Sequence, residues 1–302
     1  MILITGGAGF IGRYVTKRLA LAGQDVRCLV RRTSDLSALQ YLPVEIWHGD
    51  VADTNSMKEA TQGIDTVIHL VAIIRERGGA TFQKINHQAT RNLVNAAVTN
   101  GVKRLIHMSA IGAGPNPEYP YLYSKWQGEE AVKSSGIPYT VLRSSLVFGP
   151  EDRFFNTLAS LVKRPPSGYF KVAPILPVPG SGQTRYQPIW VEDVAECIAR
   201  ALGNEATLNK TIEIGGPQQF TYNEIIDLVA ETLGLKRWKM HLPTFMMMPS
   251  VWLMERLFVD PPVTTTELRM AHLDSITDLH AVERNFGFVP SSLSDKLDYI
   301  RV

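Results

Sequence analysis

One stretch at the start of the 302-residue sequence decides the fold: Ile2-Leu3-Ile4-Thr5-Gly6-Gly7-Ala8-Gly9-Phe10-Ile11-Gly12. Its first residues are apolar and predict a buried strand, and the residues from Phe10 onward have helical spacing. Between them the glycines match GxxGxxG when counted from Gly6 and GxGxxG when counted from Gly7. Glycine at these points permits a tight turn and lets a diphosphate approach the unpaired amides at the start of the helix. A glycine-rich turn at a junction of strand and helix favours a dinucleotide site over an ordinary turn.

The first half of the sequence alternates short apolar runs with amphipathic stretches. Strands are predicted at Met1–Thr5, Asp25–Val30, Val44–His48, Thr66–Val71, Arg104–Met108 and Tyr139–Arg143. Helices are predicted at Phe10–Ala22, Asn55–Thr61, Phe82–Asn100 and Tyr121–Ser134. Apolar strands between helices are typical of a parallel sheet covered on both faces, so we expect an α/β fold, a doubly wound parallel sheet of the Rossmann type. Residues 1–150 are expected to form this dinucleotide-binding domain.

Residues 151–302 are expected to form a smaller, mostly helical lobe that holds a substrate or a partner. Arg164–Gly182 contains five prolines and three glycines, which predicts a long irregular connection. The elements predicted after it are a strand at Gln187–Trp190, a helix at Val191–Leu202, a strand at Thr211–Gly215 and a helix at Thr221–Leu233. We expect residues 187–215 to return to the main sheet.

An apolar segment, Thr244–Phe258, contains four methionines and Trp252 and follows the basic stretch Lys236-Arg237-Trp238-Lys239. Methionine-rich apolar helices usually fill a core, and we expect that here. The same composition also suits an adaptable protein-partner surface or a membrane interface. The segment is too short to span a bilayer.

Composition excludes several classes of function. A formal net charge of +2 without a basic run interleaved with aromatics argues against a nucleic-acid partner. Two isolated cysteines, Cys28 and Cys197, fit a reducing compartment, and no Cys/His spacing predicts a metal site. The sequence begins in a strand without a signal-peptide pattern. We therefore expect a cytoplasmic protein, with association at the inner face of a membrane left open.

The residues after the second strand bear on the choice of cofactor. Sites that prefer NAD usually carry an acidic residue there, to bind the ribose 2′-hydroxyl. This strand instead ends in Arg31-Arg32, whose guanidinium groups suit a 2′-phosphate, so NADP(H) is the preferred cofactor. Asp35, three residues after Arg32, leaves NAD(H) as the alternative cofactor. The remaining cofactor contacts are expected from Gly6, Gly9, Phe10, Ile11 and Gly12 at the glycine turn, Asp50 and Val51 near the adenine, and Leu70, Val71 and Ala72 after the fourth strand.

Further motifs resemble the extended and atypical short-chain dehydrogenase/reductases. Tyr121-Leu122-Tyr123-Ser124-Lys125 reproduces the YxxxK motif, and Arg143–Pro150 resembles the segment that passes the nicotinamide, which implies a cofactor contact from Ser144. Gly182-Gln183-Thr184-Arg185 and Trp190–Ala195 are similar to a run in the sugar-nucleotide epimerases. The segments His69–Ala72, His107–Gly112 and Lys125–Glu129 resemble the branch of the nucleotide-binding accessory subunit of respiratory complex I and its bacterial relatives.

The resemblance implies hydride transfer with Tyr121 as acid/base, and with Lys125 both lowering the Tyr121 pKa and contacting the cofactor. Residues four apart on a helix share one face, and an ammonium group beside a phenol stabilises the phenolate. The family's third catalytic residue is a serine or threonine, but its usual positions hold Ala110 and Ile111. Ser109 is the candidate replacement, although its hydroxyl suits a backbone contact equally well.

Two functions follow. The first is an NADP(H)-dependent oxidoreductase or NAD-dependent epimerase-like enzyme, and we favour it. The second is a non-catalytic protein that holds the cofactor for structure or assembly. The resemblance also implies a sugar-nucleotide substrate through Arg185, for which a structural ion pair with Glu192 or Asp193 is the alternative. Asn86 is expected to hold backbone.

Overall fold

The computed structural model describes residues 1–164 and 174–301. The strands are β1 (Ile2–Thr5), β2 (Val26–Val30), β3 (Glu45–His48), β4 (Thr66–His69), β5 (Arg104–Ala110), β6 (Tyr139–Ser144), β7 (Val147–Phe148), β8 (Ile175–Pro179), β9 (Arg185–Tyr186), β10 (Ile189–Trp190), β11 (Lys210–Ile214), β12 (Phe220–Thr221) and β13 (Trp238–Leu242). The α-helices are α1 (Phe10–Leu21), α2 (Thr54–Ala60), α3 (Ala89–Thr99), α4 (Pro120–Lys133), α5 (Arg153–Lys163), α6 (Val191–Gly203), α7 (Tyr222–Thr232), α8 (Thr244–Leu257), α9 (Thr265–Met270), α10 (Ala281–Phe286) and α11 (Leu293–Lys296). A π-helical turn, Gln83–Gln88, leads into α3.

The chain forms two units that are interleaved along the sequence. The first contains residues 1–144, 191–214 and 280–289, and the second contains residues 145–190, 215–279 and 290–302, of which 165–173 and 302 are not described.

The first unit is built on a seven-stranded parallel sheet in the order β11-β6-β5-β4-β1-β2-β3. This confirms the doubly wound α/β fold. The chain adds β2 and β3 on one side of β1, and then β4, β5 and β6 on the other, so the direction of winding reverses between β1 and β4. In such sheets ligands bind beyond the carboxyl ends of the strands at this reversal.

Helices cover both faces of this sheet. On one side α2, α3 and α4 pack in a row over a core that includes Leu3, Leu105 and Val141, and on the other α1 packs against α6. Of residues 187–215, β11 joins the sheet beside β6, whereas β10 pairs with β7 in a separate two-stranded sheet of the second unit. The expectation that the whole segment returns to the main sheet is therefore wrong, because β11 joins that sheet and β10 does not.

The second unit differs from the sequence-based expectation in two places. β8 lies inside the stretch expected to be an irregular connection, and it pairs in parallel with β13, which lies where helix was expected. The part of that stretch from residue 165 to residue 173 lies outside the described residues. Two prolines, Pro177 and Pro179, hid β8 from the sequence pattern, because proline lacks an amide donor and is tolerated at the margin of a small sheet.

The expectation that the methionine-rich segment fills a core is wrong. It forms α8, in which Val251 is buried while Phe245, Trp252 and Leu257 are exposed. Among the described residues, no helix has the length and apolar character needed to cross a membrane.

Candidate functional site

The glycine turn between β1 and α1 has the geometry of an anion-binding cradle. Gly6 has a φ of +79°, which favours glycine, and its carbonyl accepts a hydrogen bond from the Gly9 amide at 2.9 Å. A side chain at Gly12 would place its Cβ 1.9 Å from that same carbonyl oxygen, so the helix can approach the turn only with glycine there. Gly9 caps α1 without a side-chain hydrogen bond, and the first helical turn, including Phe10 and Ile11, carries no acidic residue. The amides at this helix terminus therefore suit a diphosphate.

The residues expected to line the cofactor lie beside this turn. The Leu70 amide donates to the Thr5 carbonyl at 3.1 Å. A Cβ on Gly6 would lie 3.2 Å from the Val71 amide nitrogen, which places the segment after β4 against the turn. Ala72, the next residue, is exposed. The segment that follows β4 therefore lines one side of the cradle, at the point where the direction of winding of the sheet reverses.

Arg31 and Arg32 follow β2 directly, and both are exposed. Within the part of the chain that the structure describes, we find no hydrogen bond or ion pair from either guanidinium group. Asp35 accepts a hydrogen bond from the Ser37 amide at 2.9 Å, and this bond lowers the pKa of the Asp35 carboxyl. The carboxylate that would favour NAD(H) is thus engaged with its own loop, and the two arginines offer positive charge at the strand tip.

Asp50 and Val51 follow β3, next to the end of β2. The Gly49 amide donates to the Val30 carbonyl at 2.9 Å, which ties the two strand ends together. The Asp50 carboxylate accepts from the Ala52 amide at 2.8 Å, and Val51 is buried. Both residues therefore lie at the carboxyl edge of the sheet, as an adenine contact requires.

Tyr121 and Lys125 lie one turn apart on α4. The Lys125 side chain is buried, and its ammonium group donates to the Met108 carbonyl of β5 at 2.6 Å. Burial lowers the Lys125 pKa to about 8, an effect that the Glu129 carboxylate opposes. The Tyr121 ring packs edge-on against Phe82 with ring centroids 5.8 Å apart, and burial raises the Tyr121 pKa to about 12. At neutral pH both groups are protonated.

Ser109 sits in a buried polar cluster that the sequence did not suggest. Its hydroxyl donates to Glu129 at 2.5 Å, and Glu129 is fully buried. The Arg143 guanidinium donates to both oxygens of the same carboxylate, at 2.9 and 2.8 Å. The Ser109 proton is therefore engaged with a carboxylate. Ser144, the residue after Arg143, is buried at the end of β6, and its carbonyl accepts from the Ile111 amide at 3.0 Å.

Asn86 joins the segment after β4 to α4. Its side-chain oxygen accepts from the Ile73 amide at 2.8 Å, and its amide group donates to the Ile73 carbonyl and to the Ser124 hydroxyl, each at 3.0 Å. The expectation that Asn86 holds backbone agrees with this geometry. Because Ser124 precedes Lys125, Asn86 also helps fix the helix that carries the Tyr121 and Lys125 pair.

Arg185 belongs to the second unit. Its guanidinium group donates to the Asp274 carboxylate at 2.9 and 2.7 Å, and the Arg185 amide donates to the other oxygen at 2.9 Å. The sequence analysis named Glu192 or Asp193 as the acidic partner of Arg185. The structure pairs Arg185 with Asp274 instead. Much of the guanidinium fork is thus already occupied.

The parallel sheet, the glycine cradle at its reversal and the residues gathered at its carboxyl edge define a Rossmann-type NAD(P)-binding protein. Residues 2–215 match the NAD dependent epimerase/dehydratase family. The chain belongs to that family.

Proteins similar to the chain include both a subunit of NADH dehydrogenase and a reductase. The chain is 30% identical over 240 residues to the mitochondrial NADH dehydrogenase (ubiquinone) 1 alpha subcomplex subunit 9 of Arabidopsis thaliana, which covers 76% of the chain and 57% of that protein. It is 29% identical over 250 residues to the ceramide reductase of Caulobacter vibrioides, which covers 80% of the chain and 74% of that protein.

Among solved structures, the fold is similar to that of the NADPH-dependent quinone oxidoreductase QOR2 of Escherichia coli in complex with NADPH. The TM-score is 0.79 with 18% sequence identity, and the match covers 99% of both chains. At this identity the likeness concerns the fold.

Proposed function

We propose that the protein is an NADP(H)-dependent oxidoreductase in which Tyr121 is the acid/base and Lys125 supports it. The observation that carries the proposal is the buried Lys125 ammonium group, held by the Met108 carbonyl one helical turn from Tyr121. A buried cation is costly, and the Met108 carbonyl and the Glu129 carboxylate offset only part of that cost, since the Lys125 pKa is still lowered. A lysine placed one helical turn from an ionisable phenol has the spacing expected of a proton-transfer pair.

The chain's residues would act as follows. The glycine cradle holds the diphosphate, and Arg31 and Arg32 hold the 2′-phosphate that distinguishes NADP(H) from NAD(H). The bound cofactor supplies hydride-transfer chemistry. Lys125, still protonated at pH 7, provides the positive charge that favours the phenolate form of Tyr121. Tyr121 then moves a proton to or from the oxygen of the substrate.

A carbonyl or alcohol is the substrate class that this pair suits, and the reductase among the relatives supports it. The sugar-nucleotide alternative rests on Arg185. Because its guanidinium group already pairs with Asp274, a diphosphate would have to share or displace that carboxylate. We therefore place a sugar nucleotide second.

A second candidate function is a structural role for the bound cofactor, as in an assembly protein. The Ser109 hydroxyl favours it, since this group donates to Glu129 and its proton is not available to a substrate oxygen. The respiratory subunit among the relatives is compatible with such a role. Tight cofactor binding without turnover would distinguish it from the enzyme.

Tyr121→Phe tests the choice. NADPH affinity, measured by titration calorimetry, should stay within a few-fold of wild type, because the substitution removes one hydroxyl. The rate of NADPH oxidation with a panel of carbonyl compounds should fall about 10²- to 10⁴-fold. Tyr123→Phe, two residues along the same helix, is the matched control and should keep full activity. Unchanged turnover in Tyr121→Phe would refute the acid/base role, and tight NADPH binding without turnover in the wild type would favour the structural role.

A further inference from the structure

One face of α8 is apolar and exposed to solvent. Phe245 and Leu257 are 74% and 70% exposed, and Met246, Trp252 and Leu253 are each about half exposed. At 100° per residue these positions fall on one side of the helix, while the single buried residue, Val251, lies opposite. We call the set Phe245, Met246, Pro249, Trp252, Leu253 and Leu257 the α8 apolar face. A continuous exposed apolar face of this kind marks a site of contact with a protein or a membrane.

The charge on this face has one sign. Arg256 shares the face, and its guanidinium group lies 3.8 Å from the centroid of the Trp252 ring. The acidic residue of α8, Glu255, is partly buried and accepts a hydrogen bond from the Thr265 amide at 3.0 Å. Just beyond the helix, Asp260 pairs with Arg153. The α8 apolar face therefore carries a cation and no carboxylate.

The exposed apolar surface continues on both sides of α8 in the sequence. Trp238 and Met240 are exposed on β13, which leads into the helix, and Phe258 and Val259 are exposed directly after it. Lys236 and Arg237 precede this stretch. Residues 236–259 thus combine exposed aromatic and aliphatic side chains with basic ones.

We propose that the α8 apolar face docks on a lipid bilayer that carries anionic lipids. At about 1.5 Å per residue, 14 residues extend about 21 Å, so α8 would lie in the interface rather than cross it. Tryptophan favours the level of the lipid headgroups, and a long arginine side chain can reach a phosphate while its stem stays in an apolar layer. Charge complementarity between Arg256 and anionic headgroups selects this class of lipid surface.

The chemistry of the face favours lipid over a protein partner. A specific protein interface contains roughly one hydrogen bond per 100–200 Å². The one hydroxyl on this side of the helix, that of Ser250, already donates to the Met247 carbonyl at 2.8 Å. The face offers apolar area and one cation, which a bilayer accepts without directional partners.

Vesicle sedimentation tests the proposal. The full-length protein should sediment with vesicles of phosphatidylcholine and phosphatidylglycerol, and less with phosphatidylcholine alone. Trp252→Asp and Leu257→Asp should each lower binding roughly tenfold or more, since each places a carboxylate in the apolar layer. Arg256→Glu should weaken binding to the anionic vesicles specifically. Tyr41→Asp is the matched control, because Tyr41 is an aromatic residue that is 88% exposed in the first unit, and its binding should equal that of wild type.

Thermal melts of the same variants separate docking from folding. All of them should melt within a few degrees of wild type, because the substituted side chains are exposed. No vesicle binding by the wild type would overturn the proposal. If the protein does not bind vesicles but binds a second copy of itself or another protein through the α8 apolar face, the proposal is overturned. The face is then a protein interface. If Trp252→Asp unfolds the chain, the test of the proposal rests on Leu257→Asp and Arg256→Glu. If these two variants bind vesicles as well as the wild type does, the proposal is also overturned.

Discussion

Arg31 and Arg32 stand where Rossmann domains that prefer NAD carry an acidic residue, and both side chains extend into solvent. We predict that the protein binds NADPH more tightly than NADH and that Arg31→Asp narrows or reverses the difference. A charge-assisted hydrogen bond to a phosphate contributes about 1.5–3 kcal/mol, so the variant should lose roughly tenfold to hundredfold in NADPH affinity. Titration calorimetry with both cofactors measures this.

Lys17→Asp gives the matched control for cofactor choice. Lys17 is exposed on α1, and the substitution makes the same change in net charge away from the strand tip. Its ratio of NADPH to NADH affinity should equal that of wild type. Equal affinities of the wild-type protein for the two cofactors would show that the arginines are only a solvated loop edge.

Gly12 gives a second prediction at the scale of a single residue. Gly12→Ala places a methyl group 1.9 Å from the Gly6 carbonyl, so the turn and α1 must separate. We expect NADPH binding to be lost and the free energy of unfolding to fall by about 2 kcal/mol. Gly203→Ala is the control, since a Cβ there meets nothing within 4 Å, and it should be neutral in both the binding assay and a urea titration. Normal NADPH affinity in Gly12→Ala would contradict the cradle geometry.

The individual residues also show how far sequence reasoning reaches. The glycine turn was predictable because its geometry comes from neighbours within seven positions. The cluster around Ser109 was not, because its acceptor, Glu129, lies 20 positions away and meets it only after β5 and α4 pack. The same holds for Arg185 and Asp274, which are 89 positions apart. Side-chain partners across elements depend on register, which a single sequence does not reveal.

Among the elements, those of the parallel sheet were predictable and two strands of the second unit were not. Most of strands β1 to β6 are apolar runs next to helices of regular period, and the ends of all six agree with the predicted ones within about two residues. β8 contains two prolines, and β13 alternates basic and apolar residues, so neither matches the pattern of a buried strand. α8 was predicted as a helix region, but its exposure was not, since apolar composition alone predicts burial.

The ion pair between Glu129 and Arg143 joins α4 to β6, and we predict that it is the strongest polar tie between these elements. Arg143→Met leaves a fully buried carboxylate without its main partner and should lower the free energy of unfolding by about 3 kcal/mol. Lys133→Met removes a more exposed cation, 3.3 Å from the same carboxylate, and should cost less than about 1 kcal/mol. Urea denaturation at neutral pH measures both.

The double variant Glu129→Leu with Arg143→Met completes this test. Replacing both charges with apolar groups removes the unpaired carboxylate, so stability should recover most of the loss seen in Arg143→Met. The Ser109 hydroxyl then lacks its acceptor, which limits the recovery. A double variant as unstable as Arg143→Met would show that the pair matters for packing rather than for charge.

For the whole molecule, two histidines in the middle of the sheet connect folding to pH. His69 and His107 are buried and stacked, with ring centroids 5.3 Å apart. The two ring nitrogens of His69 are hydrogen-bonded to the Thr5 and Thr90 hydroxyls, at 2.6 and 2.9 Å. Neither ring nitrogen of His107 has a hydrogen-bond partner among the described residues. Burial lowers the His69 pKa to about 3 and holds the His107 pKa well below its ordinary value, an effect that the Lys125 cation reinforces for both.

Because both folded pKa values lie below the unfolded value of about 6.5, the unfolded chain binds more protons once the pH falls below that value. Stability should therefore decrease on acidification below about pH 6.5, by about 1.4 kcal/mol per pH unit for each buried histidine. Between pH 5 and 6.5 most carboxylates stay ionised in both states, so the slope there reports mainly on histidines.

His107→Met should remove about one histidine's share of this slope, because a neutral apolar side chain fills the site at every pH. His48→Gln, at an exposed histidine, should leave the slope unchanged. Urea titrations across this range give the slopes, and an identical slope in His107→Met and wild type would mean that His107 does not resist protonation in the folded protein.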